Sequence, residues 1–217
     1  MSCLCCWLRA HIYIYQVTRI FLVAIPLTLY IQLQAFAGLL DEVTVYEQDG
    51  IYHVNITAEI AATEEHVRQV LTDYAHVYRL NDSVIESKVL ESTIDGKVRV
   101  QSLVLCCTTL FCREVMRVDE ISELESGDLQ AVIIPEQSDF RSGTAVWEIT
   151  SMGDSTRLTY LASIEPDFFI PTVLGTQTVI NNMRNEFITT FYRIERIARI
   201  NEAREWDEDF VFTHSTQ

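Results

Sequence analysis

Residues 171–200 read PTVLGTQTVINNMRNEFITTFYRIERIARI, and this stretch decides the fold. Apolar side chains recur along it at the three- and four-residue spacing of one helical face. The apolar stripe comprises Val179, Ile180, Met183, Phe187, Phe191, Ile194 and Ile197. The pattern predicts one long amphipathic helix that begins at Pro171 and ends at about Ile200. Such a helix needs an apolar surface to cover its stripe.

The chain before this helix is mostly β-structure. Ile51 to Ile60 alternates apolar and polar residues, which is typical of a half-buried strand, and Val43 to Tyr46 pairs with it or extends it around Asp49-Gly50. Short turns at residues 95–96, 126–128 and 153–154 indicate hairpins and therefore an antiparallel meander. The remaining strands are expected over residues 84–91, 97–107, 110–124, 129–135, 143–150 and 156–164.

A short helix is expected between the first strand and the meander. Thr63 can cap it, acidic residues occupy its first turn, and Asn81-Asp82-Ser83 stops the helical region. Its apolar face comprises Val67, Val70, Leu71 and Tyr74.

These elements predict an α+β domain in which a curved antiparallel sheet of about seven strands wraps around the long C-terminal helix. Two short helical pieces follow the first strand. An open sheet of this size buries its concave face against an amphipathic helix more easily than it closes on itself. The expected result is a space between sheet and helix.

The chain resembles the START-like superfamily, also called SRPBCC or helix-grip, and within it the polyketide cyclase/dehydrase and coenzyme-Q-binding START branch. The resemblance is carried by the strand 52–60 (YHVNITAEI), the helix 65–74 (EHVRQVLTDY) and the helix from Pro171. It covers essentially the whole chain after the leader. It implies a helix-grip fold with an internal ligand cavity and brings no catalytic signature.

The stretch TDYAHVYRLND, residues 72–82, crowds polar side chains as an active site would. The resemblance places a helix–helix corner there. In that interpretation Asp73 caps exposed backbone donors, while Tyr74 and Tyr78 pack inward with their hydroxyls toward water. Contact with a ligand and catalysis are the alternatives.

The first 37 residues are predicted to be an export signal. They contain Arg9 and Arg19, no acidic residue and the apolar run 20–33, and they end in Ala35-Phe36-Ala37. The alternative is an uncleaved N-terminal membrane anchor. We therefore expect a signal peptide over residues 1–37, one ligand-binding domain over 38–203, a flexible acidic tail over 204–217, and a periplasmic location.

The exported part is strongly acidic. Removing Arg9 and Arg19 leaves 14 basic residues against 31 acidic ones, a net charge of −17. A nucleic-acid-binding surface needs a lysine and arginine stripe, so this charge opposes binding to nucleic acid.

Three cysteines remain after the leader: Cys106, Cys107 and Cys112. Cys107 and Cys112 face each other across a four-residue loop if strands flank it, within reach of a disulfide. Buried free thiols are the alternative. Adjacent cysteines without a nearby histidine do not favour a zinc site.

Motifs for nucleophilic, metal or nucleotide chemistry are absent from the sequence. His66, Asp73 and His76 have poor spacing for a metal site, and the neighbouring acids Glu114, Asp119 and Glu120 fall on long strands where we expect them to be solvated. We therefore assign no catalytic residue, no metal and no cofactor.

The predicted cavity is mostly apolar, with a few hydroxyl or indole donors, and suits a lipid, quinone, sterol or polyketide-like ligand. The alternative is that these side chains fill the interior. The predicted ligand-contacting residues are Tyr52, Val54, Ile56, Tyr74, Tyr78, Val132, Ile134, Trp147, Tyr160, Met183, Phe187 and Phe191, with Ile149 and Leu158 on the same walls.

Two prolines bracket Phe168, Phe169 and Ile170 at the entry to the long helix, where the resemblance places the cavity mouth. These residues are predicted to form a lid or membrane-touching lip, or else a hydrophobic staple that anchors the helix. The favoured function is an exported, non-catalytic carrier of a hydrophobic small molecule. The alternative is a cyclase or dehydrase that uses Glu114, Arg113 or Tyr160. The sequence identifies neither the ligand nor the oligomeric state.

Overall fold

The computed structural model describes residues 40–92, 96–107, 112–170 and 176–214, with side chains described up to Glu205. The predicted leader, residues 1–37, lies outside these ranges.

Eight strands form one sheet in the order β1-β2-β8-β7-β6-β5-β4-β3, and every neighbouring pair is antiparallel. The predicted meander is confirmed, because β3 to β8 follow one another across the sheet. The strands are β1 (Leu40–Gln48), β2 (Ile51–Ile60), β3 (Val84–Ser92), β4 (Val98–Cys107), β5 (Cys112–Glu123), β6 (Leu129–Ile133), β7 (Phe140–Ser151) and β8 (Thr156–Pro166).

The strand count is eight, not seven, because the segment around Val43 to Tyr46 is a full strand. β1 and β2 form a hairpin whose two-residue turn places Asp49 at φ 54° and Gly50 at φ 85°. Two consecutive positive φ angles match the twist of the flanking strands. Gly50 N also donates to Glu47 Oε1 at 2.7 Å, which stabilises the turn.

Two short helical pieces follow β2, as predicted. The first is α1 (Glu64–Leu71), with Glu64 and Glu65 in its first turn, where the positive end of the helix dipole favours acids. The second is a 3-10 helix over Tyr74–Arg79, kinked at His76. A further 3-10 turn, Pro135–Gln137, joins β6 to β7.

The long helix α2 (Thr176–His214) has 39 residues, about 58 Å at the α-helical rise. The predicted start at Pro171 lies outside the described residues. At the other end the helix continues past Ile200 to His214, so residues 204–214 are helical where the sequence predicts a loose tail. No helix in the described ranges is long and apolar enough to cross a bilayer.

The main core lies where the middle of α2 packs against α1, β1 and β2. Phe191, Ile194 and Ala198 of the helix are fully buried there, as are Ile56 of β2 and Leu158 of β8. A smaller apolar cluster, Val115, Ile133, Phe140 and Ile164, lies between β5 and β8. The N-terminal part of α2 lies over a different part of the sheet, and a space remains between this part of the helix and the sheet.

Candidate ligand-binding cavity

A cavity of about 780 Å³ lies between the sheet and the N-terminal half of α2. Cavities of a few hundred to about 1,000 Å³ are the size that holds a drug-sized ligand. Its walls come from β2, the first residue of β3 and β4–β8, from the two short helical pieces and the turn after them, from residues 166–170, and from the α2 segment Val179–Thr190. The described interior is therefore not filled by its own side chains.

Six of the predicted ligand-contacting residues lie in the cavity wall. They are Tyr52, Tyr74, Trp147, Tyr160, Met183 and Phe187, and the three predicted lid residues, Phe168, Phe169 and Ile170, also border the cavity.

The structure places Val54, Ile56 and Phe191 elsewhere, in the main core beneath α2. Ile149 and Leu158 share that core. The strand side chains among them do point toward the helix, to which Phe191 itself belongs. The helix covers them directly, so no space remains for a ligand at this end of the sheet.

Val132 and Ile134 are corrected for a different reason. Val132 is 42% exposed on the outer face of β6, and Ile134 follows the end of that strand. The β6 residues that line the cavity are Leu129, Gln130 and Ala131, and the two apolar ones share the face opposite to Val132. Because side chains alternate along a strand, choosing the wrong face of β6 displaced the prediction by one residue.

The polar stretch 72–82 forms a corner and also part of the cavity wall, to which Tyr74, Val77, Leu80, Asn81 and Asp82 contribute. Tyr74 borders the cavity, whereas Tyr78 is 42% exposed and does not pack inward. Asp73 makes no capping hydrogen bond, in contrast to the prediction, and instead pairs with His76 Nδ1 at 2.6 Å. Burial raises the pKa of the Tyr74 hydroxyl, with Glu123 adding to the effect, so this hydroxyl stays protonated.

One polar cluster, formed by Arg117, Asp119 and Tyr160, stands out in the otherwise mainly apolar wall. Arg117 Nε lies 2.8 Å from Asp119 Oδ2, and Arg117 Nη2 lies 2.9 Å from Asp119 Oδ1. The Tyr160 hydroxyl lies close enough to Arg117 for the two groups to interact electrostatically. The Arg117 and Asp119 side chains are 18% and 11% exposed, so both charges are largely removed from bulk water.

The pKa shifts in the cluster follow from burial and neutralisation. Burial disfavours the charged Arg117 guanidinium, but Asp119 and Tyr160 more than offset this, so its pKa lies above the ordinary value. Burial raises the pKa of Tyr160, and Arg117 opposes that shift only in part. At neutral pH the cluster is therefore a neutral ion pair beside a protonated phenol.

Sequence reasoning missed Arg117 and expected Asp119 to be solvated. Their spacing carried a usable signal, since Val115, Arg117, Asp119 and Ile121 alternate along β5 and so share one face with a buried valine. Opposite charges two residues apart on an apolar strand face favour a buried ion pair.

Aromatic rings form the side of the cavity next to the core. The Trp147 and Tyr160 ring centroids are 4.3 Å apart, and those of Tyr160 and Phe187 are 5.0 Å apart. Trp147 also lies 5.7 Å from Phe191, which links the cavity wall to the core. A ligand in this space would contact aromatic faces on one side.

Some of the wall residues are exposed: Cys107 and Arg113 at the ends of β4 and β5, Phe169 in the lip (Phe168–Ile170), and Asn182 in α2. We call this exposed edge the rim of the cavity. Phe169 is 76% exposed, while Phe168 packs edge-on against Phe140 with ring centroids 5.7 Å apart. A disulfide joins Cys107 and Cys112.

Two polar contacts tie α2 to the opposite side of the cavity. Asn182 Nδ2 donates to the Cys107 carbonyl at 3.3 Å. Further along the helix, Arg193 Nη1 donates to Asp82 Oδ1 at 2.8 Å, and a second hydrogen bond joins the same two side chains. These contacts hold the helix over the cavity.

Searches against family models and against curated proteins found no match. Solved structures do match. They include a START superfamily protein from Mycobacterium smegmatis, with TM-score 0.53, 17% identity and coverage of 67% of this chain and 98% of that one. The fold is the START-like helix-grip fold.

Two further solved structures with this START-like fold have names that describe a function. The Zhui aromatase/cyclase from Streptomyces sp. R1128 matches with TM-score 0.53 and 12% identity, over 69% of this chain and 94% of that one. A STAR-related lipid transfer protein from Xanthomonas axonopodis matches with TM-score 0.51 and 15% identity, over 71% and 99%. At these identities the likeness concerns the fold.

Other polar candidates on this START-like fold lie apart from the cavity or at its edge. Glu114 is exposed and not in the wall, and Arg113 lies at the rim. His66 is held between Thr63 Oγ1 and Glu205 Oε2, each at 2.7 Å. Within the described part of the chain, no three acidic, histidine or cysteine side chains converge as metal ligands.

Proposed function

We propose that the protein is an exported carrier of an uncharged hydrophobic small molecule, which binds between the sheet and the N-terminal half of α2. The observation that carries this proposal is the cavity itself, about 780 Å³ in volume and lined mainly by apolar and aromatic side chains. Burying the apolar surface of a ligand there contributes about 25 cal/mol per Å² before the costs of binding.

The polar cluster favours a neutral ligand group over an anionic one. Asp119 already accepts hydrogen bonds from two nitrogens of Arg117, so the guanidinium charge is neutralised within the wall. An anionic head group would have to approach Asp119 and lose its hydration. A hydroxyl or carbonyl group needs only a donor or acceptor, which Arg117 and Tyr160 supply.

The lip suggests how such a ligand enters. Phe169 is exposed at the rim and presents an apolar surface, from which a hydrophobic ligand can pass into the cavity. Transient contact of Phe169 with a membrane surface is part of the proposal, since exposed aromatic side chains favour the interfacial region.

Export through the predicted signal of residues 1–37 is also proposed, and it places the carrier in the periplasm. The net charge of −17 after the leader suits a soluble carrier that avoids nucleic acid. N-terminal sequencing of the mature protein tests this part, with cleavage after Ala37 as the expected result.

A cyclase or dehydrase is the second candidate function, favoured by one observation. Tyr160 is a protonated phenol beside Arg117 inside the cavity, so it could hydrogen-bond a reacting carbonyl group. Glu114, which the sequence offered as a further candidate, is exposed outside the wall and is not part of this proposal. Conversion of a bound polyketide-like compound into a new product would favour the enzyme over the carrier.

The test uses two fluorescent probes that share a ring skeleton and differ in charge. N-phenyl-1-naphthylamine is uncharged, whereas 1-anilinonaphthalene-8-sulfonate carries a sulfonate. We expect saturable, stoichiometric binding of the uncharged probe and weaker binding of the sulfonate. Equal affinities would contradict the neutral-ligand argument, and absence of binding by both probes would contradict the carrier.

A further inference from the structure

The Cys107–Cys112 disulfide lies at the rim of the cavity, at the ends of β4 and β5. We propose that this disulfide restricts the opening of the cavity mouth. Its reduction by a dithiol loosens the rim and speeds ligand exchange. The proposal rests on the proposed carrier function. It concerns the rate of entry and exit, which the shape of the cavity does not determine.

The first contact that links the disulfide to the helix starts at Cys107 itself. Its carbonyl accepts the hydrogen bond from Asn182 Nδ2, at 3.3 Å. Asn182 lies in the second turn of α2 and borders the cavity. The position of the Cys107 backbone therefore helps to hold the beginning of α2 over the mouth.

A second link runs from Cys112 to the lip. Arg113 directly follows Cys112, and its guanidinium carbon lies 5.1 Å from the centroid of the Phe168 ring. Phe168 in turn packs edge-on against Phe140 of β7. The Cys107 carbonyl and the residue after Cys112 thus each contact another part of the rim.

The third cysteine lies on the opposite face of the strand pair. Cys106 is half-buried in the cavity wall, opposite Arg113 in the β4–β5 register, whereas Cys107 and Cys112 are exposed. Burial raises the pKa of the Cys106 thiol, and Arg113 offsets this only in part. A soluble reductant therefore meets the disulfide from outside, and the cavity thiol takes no part in the reaction.

The chemical step is thiol–disulfide exchange with a dithiol. One reductant thiolate attacks a sulfur of the Cys107–Cys112 bond and forms a mixed disulfide, and the second thiolate displaces the cysteine. Two electrons pass from the dithiol, which becomes a cyclic disulfide. Cys107 and Cys112 each take up one proton and become free thiols.

Reduction removes the covalent link at the end of the strand pair, where strands fray most easily. The main-chain pairing of β4 with β5 extends back to Val98 and Ile121 and keeps the sheet intact. The expected effect is therefore confined to the rim. Loss of the Asn182 hydrogen bond in the opened state would speed dissociation about five-fold, given roughly 1 kcal/mol per hydrogen bond.

The experiment measures dissociation of N-phenyl-1-naphthylamine by stopped-flow fluorescence, before and after dithiothreitol, with thiol counting to confirm reduction. We expect faster dissociation after reduction. The double variant Cys107→Ser/Cys112→Ser should dissociate fast under both conditions. The variant Cys106→Ser should keep the response to reductant.

Hydrogen–deuterium exchange gives a readout that does not depend on a ligand. Reduction should raise amide exchange in the first turns of α2 and at Asp167–Ile170, and leave exchange in β2 and β8 unchanged. If amide exchange at the rim is unchanged after confirmed reduction, the disulfide does not restrict the opening of the mouth, whether or not the probe binds. Absence of probe binding in both redox states would count against the carrier function alone.

Discussion

Arg117 and Asp119, two residues apart on β5, form a bidentate ion pair inside the cavity, with Arg117 Nε 2.8 Å from Asp119 Oδ2 and Arg117 Nη2 2.9 Å from Asp119 Oδ1. The pair supplies a polar group to an apolar wall without leaving a net charge. The carrier proposal depends on this neutrality, because a free charge in the same place would select an ionic ligand.

Replacing Asp119 with Asn should destabilise the protein by about 3 kcal/mol, because the largely buried Arg117 loses its counter-charge. Urea denaturation followed by circular dichroism measures the effect. The double variant Arg117→Met/Asp119→Leu should regain much of this stability while losing preference for polar ligand groups. A denaturation midpoint of Asp119→Asn equal to that of wild type would show that the pair is solvated.

Filling the cavity should abolish binding without unfolding the protein. Val104 of β4 lines the cavity, whereas its neighbour Leu103 does not. Val104→Trp should therefore greatly weaken the affinity for N-phenyl-1-naphthylamine, and Leu103→Trp should retain it. Equal binding by the two variants would place the probe elsewhere on the protein.

The Asp82–Arg193 contact gives a pH dependence with a defined sign. The hydrogen bond from Arg193 holds the pKa of the Asp82 carboxyl below its ordinary value. The resulting stabilisation is present above the unfolded-state pKa of about 3.9 and is lost as pH falls through the lower folded-state value. Asp82→Asn should thus lower the melting temperature at pH 7 and have little effect at strongly acidic pH.

The control for this comparison is Asp154→Asn, in the turn between β7 and β8, where the described residues form no ion pair with Asp154. It should leave the melting temperature unchanged at both pH values. An Asp82→Asn effect that persists undiminished in strong acid would exclude the charge of Asp82 as its cause.

Substitutions in the lip should distinguish residues that act in membrane contact from residues that contribute to stability. Phe169→Ser should reduce transfer of N-phenyl-1-naphthylamine from phosphatidylcholine vesicles with little change in stability, because this side chain is 76% exposed. Phe168→Ser should lower stability as well, because Phe168 packs against Phe140. Met152→Ser, in the turn between β7 and β8, is the matched exposed control. If Phe169→Ser leaves the rate of probe transfer from vesicles unchanged, the lip is not the site of membrane contact.

The sequence predicted the architecture well because the fold rests on periodicity. Strand β2 shows this most clearly, since Tyr52, Val54, Ile56, Ala58 and Ile60 alternate with polar residues and are the buried ones. The helix stripe is equally regular. Both patterns are independent of how the side chains pack in detail, so the types of the elements and their order could be inferred from a single sequence.

The division between core and cavity could not be predicted in the same way. Val54 and Ile56 share the inner face of β2 with Tyr52, yet only Tyr52 borders the cavity. What separates them is where α2 contacts the sheet, a tertiary property that no local pattern encodes. On β6, apolar residues occupy both faces, so alternation gave no means of choosing Ala131 over Val132.

The polar cluster was missed because charged residues in a strand ordinarily lie in water. Arg117 and Asp119 are buried only because each has the other, and Tyr160 reaches them from β8, across the cavity wall. That third partner is 41 residues away from Asp119 in sequence. The i, i+2 spacing of opposite charges was the one local feature that could have indicated it.

The most direct test of the carrier is to purify the full chain without detergent, extract it with organic solvent, and identify the bound compounds by mass spectrometry alongside native mass spectrometry of the intact complex. The account predicts one uncharged hydrophobic molecule per chain in the wild type and none in Val104→Trp. A protein that is empty in both forms, or one that releases an anionic ligand, would contradict it.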